Sequence, residues 1–253
     1  MSGHSKWSKI KRKKGAADAK RSKEFSRILK EITVAVKEGQ SGEPDFNPRL
    51  RVALANAKGV NVPKENIERA ISKALASSGE AMFEPTYEGY APHGVAVFVE
   101  CTTDNLNRTV SSVRAIFNKK GGNLSTSGSV DFLFDRKGIF ILPVNDQNIE
   151  ELELELIDAN AEEVDFDEEA NEIHVVVAFE DFGTMQKKLD DLGLEATSAN
   201  LERIPRTTVT LPLDEAKSVL QLVEALEEDE DVSQVFHNLE FTEEVEAALS
   251  AAE

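Results

Sequence analysis

Cysteine is almost absent from this chain of 253 residues, and tryptophan occurs once. The single cysteine, Cys101, excludes an intramolecular disulfide and any metal site built on repeated cysteines. Such usage fits a reducing cytosol, so a cytoplasmic location is expected. Long apolar runs are lacking too. No stretch approaches the ~20 apolar residues of a spanning helix, which predicts no membrane partner. The opening residues 1–14 are basic, with no apolar run and no small-residue cleavage site, which argues against a secretory signal. The four histidines, His4, His93, His174 and His237, are scattered. No Walker loop, dinucleotide fingerprint or zinc spacing occurs. His174 and Cys101 lie in apolar stretches and read as packed side chains, neither a base nor a nucleophile. Asp165, Asp167, Glu168 and Glu169 lack the glycine and spacing of a calcium loop and read as a solvated turn. The expectation is a non-enzymatic protein with no catalytic residue, no metal, no cofactor and no small-molecule substrate.

Positive charge is scarce only on average. Lys and Arg number 29 against 47 Asp and Glu, for a formal net charge of −18. Residues 1–75 nevertheless hold 18 basic residues against 8 acidic ones, leaving 11 against 39 for residues 76–253. The first thirty residues alone hold 11 against 2. This asymmetry points to a polyanionic partner for the basic end. The acidic remainder is repelled by the same partner, so contact should be local and oriented.

Residues 1–14 hold Trp7 among Lys6, Lys9, Lys11, Arg12, Lys13 and Lys14, with no acid. Too little apolar surface is present to fold alone, so the segment reads as an arm. Fully extended, it would reach roughly 45 Å. A helix is predicted from Ala16 to Lys37, with Phe25, Ile28, Leu29, Ile32 and Val36 as its buried stripe. Lys20, Lys23, Arg27 and Lys30 lie off that stripe. Asn47 before Pro48 predicts a second helix start, with Leu50, Ala53, Leu54 and Ala57 inward and Gly59 as its stop. Pro63 opens a third helix, with Ile67, Ala70, Ile71 and Leu75 inward, and the three should pack as a bundle. Arg69 and Lys73 are that helix's strong candidates for reading bases.

Residues 76–92, punctuated by Gly79, Pro85, Gly89 and Pro92, read as a linker. Strands then alternate with helices. A strand at Val95–Cys101, a helix capped by Asp104 and a strand at Val130–Phe134 form βαβ. Residues 139–204 order as βαββαβ. Thr207–Leu211, Asp214–Leu226 and Val232–Phe236 give a closing βαβ. The fold class expected is α+β: a three-helix N-terminal domain followed by two ferredoxin-like (βαββαβ) α/β domains, one inserted in the other. The domain limits are 1–77 for arm and bundle, 78–134 with 205–238 for the discontinuous domain, 135–204 for the inserted one, and 239–253 for an acidic tail. Lys119-Lys120-Gly121-Gly122-Asn123 reads as a helix stop in preference to a phosphate-cradling turn. Arg136-Lys137-Gly138-Ile139-Phe140 only faintly echoes an RNA-recognition-motif signature.

Several short motifs recur in fixed order: Gly3-His4-Ser5-Lys6-Trp7, Asp18-Ala19-Lys20-Arg21, Asn61-Val62-Pro63, Tyr87-Glu88-Gly89-Tyr90, Glu100-Cys101, Thr103-Asp104-Asn105, Asn107-Arg108-Thr109 and Gly121-Gly122-Asn123. On them the chain resembles the YebC/PmpR family over residues 3–123. Where family members often have glycine, this chain has Ala91, His93 and Ser125. The resemblance implies a helical N-terminal domain and two α/β domains. It also implies one of two activities. Members are described as transcriptional regulators that bind DNA. Others, including the related mitochondrial translational activator of cytochrome c oxidase, act on ribosomes and help translation through proline-rich stretches. The residues themselves favour the ribosome, because an arm of cations around one aromatic suits folded RNA. No dimerisation element of an operator-reading protein is evident. The expected nucleic-acid-binding residues are Lys6, Trp7, Lys9, Lys11, Arg12, Lys13, Lys14, Lys20, Arg21, Lys23 and Arg27, with ribosomal RNA or DNA as partner.

Overall fold

The computed structural model describes residues 18–77, 81–145, 148–168 and 170–250. It mixes helix and sheet, with helices first and two four-stranded sheets after them. The chain divides into two compact units, 1–78 with 136–202 and 79–135 with 203–253.

In the first unit, helices α1 (Asp18–Gly39), α2 (Pro48–Gly59) and α3 (Lys64–Ala76) form a bundle. Ile28, Ile32, Ala35 and Val36 of α1 meet Leu50, Ala53 and Ala57 of α2, with Val62 and with Ala74 of α3. Ile67, Ala70 and Ile71 pack against this cluster. Leu75, expected inward, is 54% exposed. The stack of positions 67, 70, 71 and 74 follows the helical turn and rotates 75 to the rim. Asn47 starts α2 as its sequence suggested. Its Oδ1 accepts the Leu50 N–H at 3.0 Å, while Nδ2 donates to the Ala35 carbonyl at 2.8 Å. One buried amide thus caps α2 and ties it to the end of α1.

The same unit continues with β4 (Phe134–Pro143), α5 (Ile149–Ile157), β5 (Ala161–Asp167), β6 (Glu172–Ala178), α6 (Phe182–Asp191) and β7 (Ser198–Pro205). Its strand order is β5-β6-β4-β7. Alternate residues Ile173, Val175 and Val177 of β6 join Phe140 and Leu142 of β4 on one face. Leu152 and Leu156 of α5 and Met185 and Leu189 of α6 cover them. Helix α2 is fastened to β7. Asn56 donates to the Ala199 carbonyl at 3.0 Å and accepts the Ala199 N–H at 2.8 Å. Arg51 reaches Asp190 at 3.0 Å.

Gly59 ends α2 directly over this strand. A Cβ there would stand 1.8 Å from the Thr197 carbonyl oxygen, which is backbone and cannot swing aside. Gly59→Ala is therefore expected to destabilise the protein by about 3 kcal/mol, the upper range for overpacking. Urea unfolding reads this directly, and an unchanged midpoint would contradict the close approach.

The second unit holds β1 (Thr86–Tyr90), β2 (Ala96–Cys101), α4 (Leu106–Lys119), β3 (Asn123–Leu124), α7 (Leu213–Glu227), β8 (Val232–His237) and α8 (Glu243–Ser250). Its strand order is β3-β1-β2-β8, each pair antiparallel. Strand β1 lies inside the stretch expected as a linker. Gly89 had read as a breaker, yet it serves close approach: a Cβ would meet the Asn123 carbonyl oxygen at 2.5 Å. Two expected strands are absent. Residues Asp131–Leu133 form one turn of 3-10 helix, and Val209 makes a single parallel bridge to Leu239. This sheet therefore orders as ββαβ followed by αβ, and does not form from two βαβ halves. The cap of α4 is Asn105, whose side chain accepts the Arg108 N–H. Asp104, expected in that role, pairs instead with the Arg108 guanidinium at 2.8 Å. The acidic tail packs on the unit through Phe241 and Val245, both buried.

The cause of the 3-10 turn is Glu88. Its side chain is buried, and its carboxylate accepts the N–H groups of Gly128, Val130 and Asp131 at 2.6, 2.7 and 2.9 Å. Those donors are turned inward and cannot join a ladder. Arg203 closes the cluster. It lies 3.7 Å over the Phe98 ring and pairs with Glu100 at 3.0 Å and Asp131 at 2.5 Å.

Candidate nucleic-acid interface

Lys6, Trp7, Lys9, Lys11, Arg12, Lys13 and Lys14 lie outside the described residues. Lys20 and Arg21 fall in the first turn of α1, with side chains outside the description. Lys23 and Arg27 follow on α1 and are exposed. Spacings of three and four residues set 20, 23, 27 and 30 along one side of that helix.

The bundle divides its cations into two groups. Those of α2 are engaged: Arg49 with Glu38, Arg51 with Asp190 and Lys58 with Glu195. Lys64 pairs with Glu68 within α3 at 3.6 Å. Arg27 on α1 and Arg69 and Lys73 on α3 are exposed, and none of the three makes an ion pair among the described residues. Arg69 and Lys73 stand one turn apart on one face. This division was not readable from the sequence, where all these cations look alike. It suits contact with a phosphate backbone, since a cation already paired must first give up its partner.

The other motifs lead elsewhere. The N–H groups of Lys120, Gly121 and Gly122 donate to the carbonyls of Ile116, Asn118 and Phe117 at 3.0, 3.3 and 2.8 Å. With Gly121 at φ +75, this is a helix stop whose donors are consumed, not a phosphate cradle. Phe140 is fully buried and stacks on Phe182 at 4.7 Å, and Arg136 lies over the Phe179 ring at 3.9 Å. The Arg136–Phe140 run is therefore part of a core strand and offers no stacking platform. His93 sits in a turn 3.4 Å from Glu215, His174 is buried in β6, and His237 accepts the Leu239 N–H at 3.3 Å. Cys101 is buried. Among the described residues no group of three His, Cys, Asp or Glu is placed to hold a metal ion. No described helix is long and apolar enough to cross a membrane.

In the second unit, Arg108 holds the buried Asp231 with two hydrogen bonds, of 2.9 and 3.0 Å. Thr109 donates to the same carboxylate at 2.9 Å. The hydrogen bonds that Arg108 donates to Asp231 and Asp104 raise its pKa further above its ordinary value, so the guanidinium stays charged throughout.

Comparison with known proteins adds three findings. The family model described as the TACO1/YebC protein N-terminal domain matches residues 5–77, and that of the TACO1/YebC second and third domain matches residues 82–239. A protein of Amoebophilus asiaticus named "Probable transcriptional regulatory protein" is 52% identical over 241 residues, covering 94% of this chain and 98% of the relative. A protein of the same name from Geobacillus thermodenitrificans is 48% identical over 243 residues, covering 95% of this chain and 97% of the relative. The crystal structure of a conserved hypothetical protein from Aquifex aeolicus superposes with a TM-score of 0.76 at 44% identity, covering 90% of this chain and 93% of the other.

Proposed function

The chain belongs to the TACO1/YebC family, and from that premise we propose that it is a non-enzymatic, cytoplasmic nucleic-acid-binding regulator of gene expression that works on the ribosome. In this reading it relieves stalling at proline-rich stretches. The observation that carries the proposal is the partition of charge: 18 cations against 8 acids in residues 1–75, and 11 against 39 in the rest. A protein built this way docks its basic end on RNA, while the net acidity of the remainder opposes broad contact with the phosphates. The contact residues are Lys6, Trp7, Lys9, Lys11, Arg12, Lys13, Lys14, Lys20, Arg21, Lys23 and Arg27. Arg69 and Lys73 extend the set, because they are exposed and unpaired among the described residues. The domain plan that goes with this reading is an arm and bundle over 1–77, and an inserted ferredoxin-like domain over 135–204 within a second α/β domain.

A second reading is a DNA-binding transcriptional regulator, favoured by the names of the relatives. The two separate in one experiment. The purified protein is bound in competition to ribosomes and to random duplex DNA across a salt series. Both interactions weaken with salt through counterion release. Ribosome binding that persists near physiological salt while DNA binding vanishes supports the ribosomal reading. Persistent DNA binding with ribosomes ignored overturns it.

A further inference from the structure

The second unit is strongly acidic, with 7 Lys and Arg against 20 Asp and Glu over residues 79–135 and 203–253. Its charges are not evenly spread. Residues 105–130 contain no Asp or Glu, and this is the longest acid-free stretch of the chain. Four of the unit's seven cations fall inside it: Arg108, Arg114, Lys119 and Lys120.

The unit's other three cations are paired: Arg203 with Glu100 and Asp131, Arg206 with Asp135, and Lys217 with Asp214. Arg108 is consumed by Asp104 and Asp231. Arg114, Lys119 and Lys120 make no ion pair among the described residues. The acids that border the stretch, Asp104 and Asp131, are engaged with Arg108 and Arg203, so they do not neutralise Arg114, Lys119 or Lys120. A helix that merely balanced the acids near it would pair each of its cations, as Arg108 does with Asp231 in the turn after α7. Arg114 stands two turns further along α4 and does not.

Two amides beside these cations are also uncommitted. Asn107, Ser111, Arg114 and Asn118 recur every three or four residues and form one exposed stripe on α4. It runs for about 16 Å along the helix. The Asn107 and Asn118 side chains make no hydrogen bond among the described residues. An amide both donates and accepts, which suits a ribose 2′-hydroxyl, while a free guanidinium or ammonium suits the phosphate next to it.

We infer that the exposed face of α4 is a second RNA-binding surface, contacting the sugar-phosphate backbone through Arg114 and Lys119 and the 2′-hydroxyls through Asn107 and Asn118. It rests on the ribosomal reading above and adds that the acidic unit also touches RNA, at this one helix. The surface carries no base-reading set, so binding is to backbone and shape.

The test uses the full chain with a mixed-sequence single-stranded RNA and a DNA of the same sequence. Arg114→Gln with Lys119→Gln is expected to lower the slope of log K against log salt by about 1.4, near 0.7 for each phosphate no longer neutralised. Asn107→Ala with Asn118→Ala should weaken RNA binding by about 5-fold and leave DNA binding unchanged. Lys217→Gln, on the paired cation of α7, should leave the slope alone. All four α4 residues are exposed and take no part in a core, so thermal unfolding should match the wild type. An unchanged slope in the Arg114/Lys119 variant overturns the inference. Equal losses on RNA and DNA in the Asn107/Asn118 variant overturn the assignment to RNA. A wild-type chain that binds no RNA at all sinks the ribosomal reading itself. RNA binding that vanishes when the charges of residues 11–14 are reversed, yet is untouched by the α4 variants, sinks only the surface proposed on α4.

Discussion

Changing Lys11, Arg12, Lys13 and Lys14 together to Glu is expected to abolish co-sedimentation with ribosomes at physiological salt. These four residues are consecutive, and no acid stands among residues 1–17. Each phosphate neutralised by a cation releases close to one counterion, and four such contacts contribute about three orders of magnitude to binding at physiological salt. Reversing the charge adds repulsion to that effect. The slope of log K against log salt should fall by about 3 on ribosomal RNA. The fold should survive, because the bundle is held by the burial of Ile28, Ile32, Leu50 and Ala53, and none of these is changed. Circular dichroism and the thermal midpoint check that survival. Co-sedimentation that persists in this variant removes the arm from the interface, and the ribosomal reading goes with it.

What the sequence disclosed depended on how local the cause was. Asn47 before Pro48 announces a helix start because both effects act within one turn, and the structure has the cap there. The apolar stripes of α1 and α2 were legible for the same reason. Strand β1 was not, because what makes Gly89 necessary is a carbonyl at Asn123, thirty-four residues away in sequence. Residues Val130–Phe134 look like a strand by apolar content alone. They turn because the Glu88 carboxylate, more than forty residues earlier, takes the N–H groups of Val130 and Asp131. The interface shows the same division. The excess of cations near the start is a matter of counting. Which cations remain unpaired is tertiary, since Arg51 is spent on Asp190 and Arg108 on Asp231 while Arg69 and Arg114 are left free among the described residues. The acid-free stretch over 105–130 was visible in the sequence, but it means little until Asp104 and Asp131 are seen to be engaged.

Glu88→Ala is expected to destabilise the second unit strongly. It leaves the N–H groups of Gly128, Val130 and Asp131 without their acceptor. An unsatisfied buried donor costs about 1–3 kcal/mol, and since Val130 is buried while Gly128 and Asp131 are exposed, the loss should be about 3 kcal/mol at most. Glu88→Gln separates charge from shape, and it carries a pH signature. Burial alone would raise the Glu88 pKa, but the three N–H donors and the nearby Arg203 outweigh it and hold the carboxyl below its ordinary value. A carboxyl depressed in the folded state binds its proton more readily when unfolded. Its contribution is then complete above the unfolded value of about 4.3 and is lost as pH falls through the folded value. The gap in stability between wild type and Glu88→Gln should therefore hold steady from about pH 7 to about pH 5 and close below that. Urea midpoints measured for both proteins across this range decide the matter. A gap that stays constant at the acid end would mean that packing, and not the carboxylate charge, holds the loop. A closing gap ties the conformation of residues 125–133 to one buried anion, and so explains why an apolar run of strand-forming residues turns there instead.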